Sequence, residues 1–464
     1  MLSLPRTHSR NWYRNAIVHV LDCPHGNWWF LVWHRAYLGW LEATVRELSE
    51  DNEFALPYWD WTKTPRVPDA MFDGVLDPNN GAFIATLATF KSRFEPAITA
   101  LYASLSQAQK DALARRPYPV PVTTPAGLWN LVERFFFFDQ PNARGLTATN
   151  PVLDGDTQLA VAIGMIRNAL HTPTFAGGPG EPAGFQSGKA ANHSSGSVEG
   201  VLESQPHDNV HGAMGGGGGA FMISHLSPVD PIFFLHHANL DRLWDVWTRR
   251  QVALGRPTLP QGADLATWSD EQFLFFSDEK GQPVSKVKAG DYKAMSAFDY
   301  DYSPGSGEDQ VPAPGPAVAV GPSQVFSGQI TAAAVGAGPA AGGVVQVPAA
   351  ALQAAASPSA GPRVAEITLN LGDDDQGRRF RVLVSPGGGA AAVSAGTITA
   401  FGHTGHGPAT FTVPLPDDLG PAAAAAGNVS LDIRVVPIGS PPKPTAGAAV
   451  AVPPQVNAIQ VRTN

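Results

Sequence analysis

The chain has 464 residues and a formal net charge of −9, so it is long enough for two or three domains with a large buried core. Its acidic balance argues against nucleic acid or a membrane surface as a partner. A hydrophobic content of 44%, with 11 Trp and 23 Phe, excludes global disorder, although Gly (48) and Pro (42) are abundant. No apolar run reaches the roughly 18 residues that span a bilayer.

The N-terminus and the cysteine content say little about location. The first residues lack a charged segment followed by an apolar one, so we expect no secretory signal here; a precursor with a trimmed leader stays open. The single cysteine, Cys23, excludes an internal disulfide, so nothing requires an oxidising compartment. We therefore expect a soluble protein of unknown location, and a homo-oligomer stays open.

Three histidines fall in the first two predicted helices and the turn between them. Apolar residues at helical spacing predict a helix over 9–22, with His19 near its end. Cys23-Pro-His-Gly then reads as a turn that carries His25. Residues 28–48 are apolar nearly all round and predict a buried helix with His34 in its second turn. An imidazole buried there needs a polar partner or a metal.

The middle of the chain carries few chemical signals. Asp60, between two tryptophans, is either an anchor for a neighbouring backbone or histidine, or a satisfied turn aspartate. Helices are predicted over 106–116 and 157–170, and the run Phe135 to Phe138 is predicted to lie in the core. Residues 171–200 are rich in Gly, Ser and Pro and predict a long loop, a feature that is often functional.

A second group of histidines lies between Pro206 and Trp244. His207 and His211 stand four residues apart, which places both on one helix face. Asp230 and Pro231 are predicted to start a long helix on which His237 shares a face with Phe233 and Leu240, while His236 points about 100° away. An isolated pair at this spacing is more often structural than metal-binding. A third imidazole would complete a nitrogen site suited to copper or zinc.

The last third of the chain predicts β structure. Residues 303–322 read as a Pro/Gly-rich linker. Residues 323–464 contain segments that alternate at period two between turn residues, such as F-R-V-L-V and V-S-L-D-I-R-V-V, and they predict a small β-sandwich. His403 and His406 are interpreted as a loop tip rather than a metal site.

Taken together, these motifs resemble the type 3 dicopper family of tyrosinases, catechol oxidases and molluscan haemocyanins. H-G-N-W-W-F-L-V-W-H-R-A-Y-L is similar to the family's first copper motif, and P-Y-W-D-W follows it. P-H-D-N-V-H and D-P-I-F-F-L-H-H-A-N-L-D-R-L-W are similar to the second. F-D-Y-D-Y resembles the Tyr-x-Tyr pair that closes the core domain. The resemblance covers about residues 8–302 and is to enzymes of bacterial type.

The resemblance implies a mainly α fold, with an antiparallel helix bundle that holds a dicopper site in residues 1–302. After the linker at 303–322, a small all-β, sandwich-like domain over 323–464 resembles the C-terminal domain of plant-type polyphenol oxidases by position and strand pattern. In such enzymes the domain covers the active site, so we expect it to act as a lid.

The resemblance also implies two copper ions, each with three histidine ligands. They are His19, His25 and His34 for the first copper, with His8 as a competitor for His19, and His207, His211 and His237 for the second. His236 is then a supporting residue that bonds a neighbouring backbone or aromatic group.

Further roles follow from the same resemblance. Cys23 is expected to form a thioether with His25, the alternative being a free buried thiol. Phe233 matches an aromatic residue that packs over the copper pair, and Asp241 a carboxylate that orients a ligand histidine. Glu203 and Asp208 match the pair that holds a water for phenol deprotonation, although many strong phenol hydroxylases have Asn at the second position. Ser224 occupies a gate position, where a small side chain leaves the copper accessible.

The implied activity is copper-dependent oxidation of small phenols by O2, in which monophenols are hydroxylated at the ortho carbon and o-diphenols lose two electrons to become o-quinones. Alternatives are a catechol or o-aminophenol oxidase with little monophenolase activity, and a haemocyanin-like O2 carrier. Carriers block substrate access, whereas Ser224 and the glycine run Gly215 to Gly219 favour an open site.

Overall fold

The structure is a computed structural model of the whole chain. It describes all residues except 82–85, 136–143, 179–180, 182–183, 216–219, 337–339, 354–360, 373–374, 388–389, 403–407, 418, 420–426, 440–452 and 464. The predictions for Phe136 to Phe138, for most of the glycine run and for His403 and His406 therefore lie outside the described residues.

Helices dominate the first 270 residues. They are α1 (Trp12–Asp22), α2 (Phe30–Ser49), α3 (Leu87–Ser104), α4 (Gln107–Arg115), α5 (Pro125–Glu133), α6 (Gly155–Ala160), α7 (Ile163–Leu170), α8 (Asp208–Met214), α9 (Ile232–Ala253) and α10 (Ala263–Asp270). Several begin at side-chain caps. The Asn11 side chain accepts from Tyr13 N at the start of α1, and Ser106 and Gln109 form a capping box at α4.

Helices α1, α2, α8 and α9 surround the histidine-rich centre. Helix α2 is buried on nearly every side and packs against α9, as its all-round apolar sequence predicts. A short π-helical segment, Glu203–His207, runs directly into α8. The largest core cluster contains Trp29, Trp33, Trp244 and Trp247, so bulky aromatic packing holds α2 against α9 beside the centre.

The predicted helix over 157–170 is broken in two. The chain becomes extended at Ala162, where ψ is 151°, between α6 and α7. Helix α6 packs against the C-terminal sheet, whereas α7 packs against α9. Two different packing partners thus override the local helix propensity.

The C-terminal region forms one antiparallel sheet of eight strands in the order β5-β4-β7-β2-β1-β8-β3-β6. The strands are β1 (Gln324–Ala332), β2 (Ala341–Pro348), β3 (Val364–Asn370), β4 (Arg379–Pro386), β5 (Val393–Thr399), β6 (Ala409–Pro414), β7 (Asn428–Ile438) and β8 (Gln455–Thr463), and a short helix, α11 (Ala349–Gln353), follows β2. The first half of β1 pairs with β8 and its second half with β2. This shared strand joins the two halves of the sheet.

The predicted fold class is wrong in two respects. Strands hold 19% of the residues against 38% in helices, so the fold is not mainly α. The all-β part is a large, nearly closed barrel-like sheet rather than a small domain. The error has a physical cause, because Ala- and Gly-rich strands such as β2 (A-G-G-V-V-Q-V-P) lack the bulky alternating residues that identify a strand. The helical core itself is as predicted.

The segment between the two regions is fixed at its start. Asp60 Oδ2 accepts hydrogen bonds from Ser306 N and Ser306 Oγ, both at 2.9 Å, and Arg242 donates to Ser306 O at 2.9 Å. Asp60 is therefore an anchor for neighbouring backbone. Within the described part of the chain, no helix is long and apolar enough to cross a membrane.

Candidate metal centre

The first three predicted ligands lie together. His19 is in the last turn of α1, His25 on the following turn and His34 on α2, and all three are buried. Their ring centroids are 5.6 Å (His19 to His25), 5.7 Å (His19 to His34) and 6.1 Å (His25 to His34) apart. The competitor, His8, is half-buried outside this cluster, and its Nδ1 accepts from Arg10 N. The geometry thus favours His19.

The second set forms an equally compact cluster. The ring centroid of His207 lies 4.6 Å from that of His211 and 5.1 Å from that of His237, and His211 to His237 is 5.5 Å. His236 is equally close, 5.1 Å from His211. Distance alone therefore does not select between the two adjacent histidines, because candidate ligand atoms of all four lie within 4.8 Å of one another.

The two clusters adjoin each other. The rings of His34 and His237 stack with centroids 4.1 Å apart, and those of His25 and His207 are 5.7 Å apart. Two metal ions held by these clusters would consequently be neighbours in one buried chamber.

Hydrogen bonds fix how four of the imidazoles face this chamber. Each Nδ1 has an acceptor, namely His225 O for His19 (2.8 Å), Phe30 O for His34 (2.7 Å), Asp208 Oδ1 for His207 (2.8 Å) and Met222 O for His211 (2.6 Å). A neutral imidazole that donates from Nδ1 keeps a lone pair on Nε2. These are buried bases with oriented lone pairs, the arrangement that metal-binding histidines adopt.

The same reasoning separates His236 from His237. Trp61 Nε1 donates to His236 Nδ1 at 3.1 Å. A neutral ring that accepts at Nδ1 carries its proton on Nε2, so His236 has no lone pair left for a metal in this arrangement. His237 Nε2, by contrast, lies 3.3 Å from His211 Nε2. Without a metal the two nitrogens share a hydrogen bond, and a metal ion beside both would take the place of that proton.

Burial keeps all of these rings neutral. It lowers the pKa of His19, His25, His207, His236 and His237 well below the ordinary value, and neighbouring imidazoles lower it further. Burial also lowers the pKa of His34 and of His211 to about 3. Metal ligation requires the deprotonated ring nitrogen, so these residues fit copper at neutral pH.

Cys23 lies between two of the first-cluster histidines. Its Sγ is 3.8 Å from His25 Nδ1 and 3.7 Å from His25 Nε2, and 3.4 Å from His34 Nε2. Nearly equal distances to both ring nitrogens place the sulfur close to the plane that bisects the ring between them, and this plane contains Cε1. Burial and Glu203 raise the pKa of the thiol, so it is not an exposed reactive thiolate.

Phe233 packs against predicted ligand histidines, whereas Asp241 contacts other residues. The Phe233 ring lies 4.1 Å from that of His237 and 5.1 Å from that of His19, so it packs against both clusters. Asp241, expected to orient a histidine, instead accepts from Arg35 Nε at 2.7 Å. Its other oxygen accepts from Tyr300 and Tyr302, at 2.7 and 2.8 Å. The Tyr-x-Tyr pair therefore ties the end of the helical region to α9.

Three buried carboxyl groups line the other side of the second cluster. Glu203 accepts from Gly26 N at 2.8 Å and from Ser187 Oγ. Asp208 accepts from His207 Nδ1, and the buried Glu199 carboxyl group lies close enough to influence the pKa of Asp208. Burial, followed by the charge of Glu199, raises the pKa of Glu203 and of Asp208. Here Asp208, rather than Asp241, orients a ligand histidine.

The gate position is small but buried. Ser224 Oγ donates to Phe221 O at 3.1 Å and accepts from Leu226 N at 3.1 Å, so its hydroxyl stabilises a turn. The next residue, His225, lies at the edge of the first cluster, with its ring 5.4 Å from that of His25.

A residue of the C-terminal region closes the chamber. The Phe401 ring stacks on His211 with centroids 3.9 Å apart and rings 16° from parallel, and it is 5.1 Å from His25 and 5.4 Å from His207. Gly402 follows with φ +74°, and a Cβ there would lie 2.6 Å from His25 Cγ. Only glycine permits this close approach.

The motifs did not identify Glu199, Ser187, His225 or Phe401. The third carboxyl group was detectable, because Glu199 precedes Glu203 by one helical turn in the sequence. Phe401 lies in the F-G-H-T-G-H-G segment that was interpreted as a loop tip, and a bulky aromatic residue next to glycine in a loop was a usable signal. Ser187 and His225 carried no distinguishing pattern.

We predict that the metal-free protein loses stability as the pH falls from about 6.5 toward 3. The histidines of the unfolded chain take up protons near their ordinary pKa of about 6.5, whereas the buried ones do not. Each contributes a slope of up to about 1.4 kcal/mol per pH unit. Glu203 and Asp208, with raised pKa values, act in the opposite sense but are outnumbered by the seven histidines. Denaturant unfolding at pH 7.5, 6 and 5 tests this; stability that rises toward pH 5 would contradict it.

Sequence comparison identifies related proteins. The protein-family model described as the common central domain of tyrosinase matches residues 3–250, which is more than half of the chain. The chain is 28% identical over 294 residues to tyrosinase HcTyr1 of Hahella sp. (strain CCB-MM4), covering 61% of this chain and 47% of that protein. It is 27% identical over 322 residues to a chloroplastic polyphenol oxidase of Vitis vinifera, covering 65% and 43%. The chain thus spans about half the length of the curated relatives it matches.

Solved structures share the fold across both regions. A recombinantly expressed latent aurone synthase (polyphenol oxidase) matches with a TM-score of 0.56 at 17% identity, covering 100% of this chain and 85% of that one. The same enzyme from a natural source matches with a TM-score of 0.53. At this identity the likeness shows the fold alone. Because the family model covers more than half of the chain, the protein belongs to the tyrosinase and polyphenol oxidase family of type 3 dicopper oxidoreductases.

Proposed function

We propose that this protein oxidises phenols with O2 at a pair of copper ions. The observation that carries the proposal is the pair of adjoining clusters of neutral, buried imidazoles, in which hydrogen bonds on Nδ1 leave Nε2 lone pairs toward one chamber. Family membership supports two copper ions as the cofactor and O2 as the co-substrate.

We assign the ligands as predicted. His19, His25 and His34 would hold one copper, and His207, His211 and His237 the other. His236 supports the second site by accepting from Trp61, and Phe233 packs against both. A bound copper pair would supply electron transfer to O2, so that two o-diphenols together give four electrons and four protons and one O2 is reduced to two molecules of water.

The chain's own groups decide which phenols react. An o-diphenol must lose two electrons and two protons to become an o-quinone, and a monophenol must first lose its hydroxyl proton to approach the metals. Glu203 accepts two hydrogen bonds, and a carboxylate has about four acceptor positions, so it retains capacity to hold a water. Asp208 is occupied in orienting His207. We therefore propose that Glu203, through this water, accepts the hydroxyl proton of the phenol. We also propose that o-diphenol oxidation is the main reaction.

We propose further that the C-terminal domain acts as a lid, with Phe401 as the residue that occupies the chamber. A phenol ring cannot reach the space above His211 while the Phe401 ring stacks there 3.9 Å away. Because Phe401 fills this space, the small side chain of Ser224 does not make the site open. It also favours a second candidate, an O2 carrier, because O2 needs far less room than a phenol.

We also propose a thioether between Cys23 and His25. The near-equal distances of Cys23 Sγ from both His25 ring nitrogens support attachment at Cε1. His25 lies on a turn rather than on a helix, so a covalent bond would hold its ring as firmly as the helical ligands are held.

Removal of either adjacent histidine tests the ligand assignment. In His237→Ala, we expect the copper content to fall from two to one per chain, because the second cluster loses a lone pair. In the matched variant His236→Ala, we expect two coppers bound with weaker affinity, by roughly 10–100-fold, since only a supporting contact is lost. Metal analysis after dialysis measures both; two coppers in His237→Ala would refute the assignment.

Mass spectrometry tests the thioether. Bond formation removes two hydrogen atoms, so the copper-matured, denatured protein should weigh about two mass units less than the sequence, and Cys23 should resist alkylation. Cys23→Ser serves as the control, with its full sequence mass. A normal wild-type mass with complete alkylation would exclude the bond.

Phe401→Ala distinguishes a latent enzyme from a carrier. Because the substitution empties the space above His211, we expect O2 uptake with catechol to rise at least tenfold over wild type, with brown quinone products. Comparison of catechol with tyrosine in this variant measures the monophenolase share. Absence of catechol oxidation by the copper-loaded variant would sink the oxidase proposal and favour the carrier.

A further inference from the structure

We propose that the C-terminal sheet also positions the second copper site, through Asn209. This inference rests on the proposed function and concerns the helix that carries His207 and His211. Asn209 lies between these two residues on α8, and its buried side chain points away from the chamber, into the C-terminal sheet. It touches no metal ligand side chain, so its role is that of a positioning residue.

The start of this helix is locally weak. The segment Glu203–His207 is π-helical and contains Pro206, which has no N–H to donate. Two backbone carbonyls in it, Ser204 O and Gln205 O, accept from Asn209 Nδ2 at 3.3 and 2.9 Å. The asparagine side chain thus bonds carbonyls of the irregular turn that leads to His207.

The other contacts of Asn209 belong to the C-terminal sheet. Nδ2 also donates to Thr397 O at 2.8 Å, and Oδ1 accepts from Thr399 Oγ1 at 3.0 Å, both on β5. The Asn209 amide therefore joins the copper-bearing segment to a strand almost 190 residues later.

Neighbouring residues repeat this attachment. Ser204 Oγ and Gln205 Nε2 both donate to Thr412 O on β6. A Cβ on Gly212 would lie 2.9 Å from Thr399 Cγ2, and one on Gly396 would lie 2.5 Å from Gln205 Oε1. The two surfaces are therefore in close contact along this segment, and each glycine leaves room for a side chain of the opposite surface.

Such bracing matters because α8 is short. It has only seven residues, Asp208–Met214, and a helix of this length is not stable by itself in water. Its direction, and so the relative position of the His207 and His211 nitrogens, depends on tertiary contacts. The C-terminal region thus acts on the site in two separable ways. Phe401 fills the chamber from inside, whereas β5 and β6 hold the copper-bearing helix from outside.

Variants of the full-length, copper-loaded chain test this inference. Asn209→Ala removes the central contact, and Thr399→Val removes only one hydroxyl at nearly constant shape. Thr331→Val is the matched control, because Thr331 donates to Gly342 O within the sheet and lies far from α8. Each is dialysed against a chelator, and copper per chain, the electron paramagnetic resonance signal of isolated Cu(II) and the unfolding midpoint of the metal-free protein are measured.

We expect Asn209→Ala to retain one copper per chain and to show the signal of an isolated Cu(II), because the second site is lost and the first is kept. Thr399→Val should lose its second copper about tenfold faster than wild type. Thr331→Val and Phe401→Ala should retain two. If Asn209→Ala does not fold, the rate in Thr399→Val decides.

The result that would overturn this inference differs from the result that would overturn the proposed function. Two coppers, no isolated Cu(II) signal and unchanged release rates in both variants would overturn the inference. A wild-type chain that binds no copper would instead overturn the proposed function. A third result would be the equal loss of both coppers in Asn209→Ala together with a lowered unfolding midpoint. It would show general destabilisation, and it would also overturn the inference that Asn209 positions the second site.

Discussion

Seven imidazoles are buried side by side, and the rest of the structure depends on keeping them uncharged. Burial of a charged ring among like neighbours is prohibitively costly, so each histidine must be neutral. A neutral ring still needs partners for both nitrogens. The protein supplies one hydrogen-bond partner to each of five rings, and these partners are backbone carbonyls, a carboxylate and Trp61. A metal ion is the natural second partner for the lone pairs that remain. Trp61 donates to Nδ1 of His236, which separates His236 from its neighbour.

Two of these partners come from elements distant in sequence, since His225 O bonds His19 and Trp61 bonds His236, whereas the others lie nearer along the chain. Met222 O and His225 O belong to the segment before α9, and Phe30 O to α2 itself. The Arg35–Asp241 pair, with the guanidinium 3.6 Å over the Trp244 ring, joins α2 to α9 and is completed by the two tyrosines at the end of the helical region. A buried ion pair that lost one partner would cost about 3–5 kcal/mol. These contacts hold the two clusters against each other.

The C-terminal sheet contributes to the same site although it holds none of the assigned ligands. Phe401 and Gly402 reach the chamber, while the ion pairs Arg379–Asp154 and Arg381–Asp156 join β4 to α6 at the edge of the interface. The exposed members of these pairs are screened by solvent, so the pairs align the domains more than they stabilise them.

Sequence reasoning reached the helical core through helix periodicity, and it reached the clustered histidines through the resemblance of their motifs to the dicopper family. It failed where tertiary contacts decide. The break at Ala162 reflects two packing partners, and the Ala- and Gly-rich strands give no alternating pattern. Asp241 was assigned through the same resemblance, yet in the fold Arg35 donates to it. Phe401 is 164 residues from the last assigned ligand, so only the assembled fold brings it to the chamber.

The central claim is that each cluster holds one copper and that His236 holds none. Anomalous diffraction from crystals of the copper-loaded, full-length protein, recorded on both sides of the copper absorption edge, tests it most directly. The account predicts two peaks in one chamber, one bounded by His19, His25 and His34 and one by His207, His211 and His237, with His236 turned to Trp61. A single peak, or a peak bonded to His236 in place of His237, would contradict it.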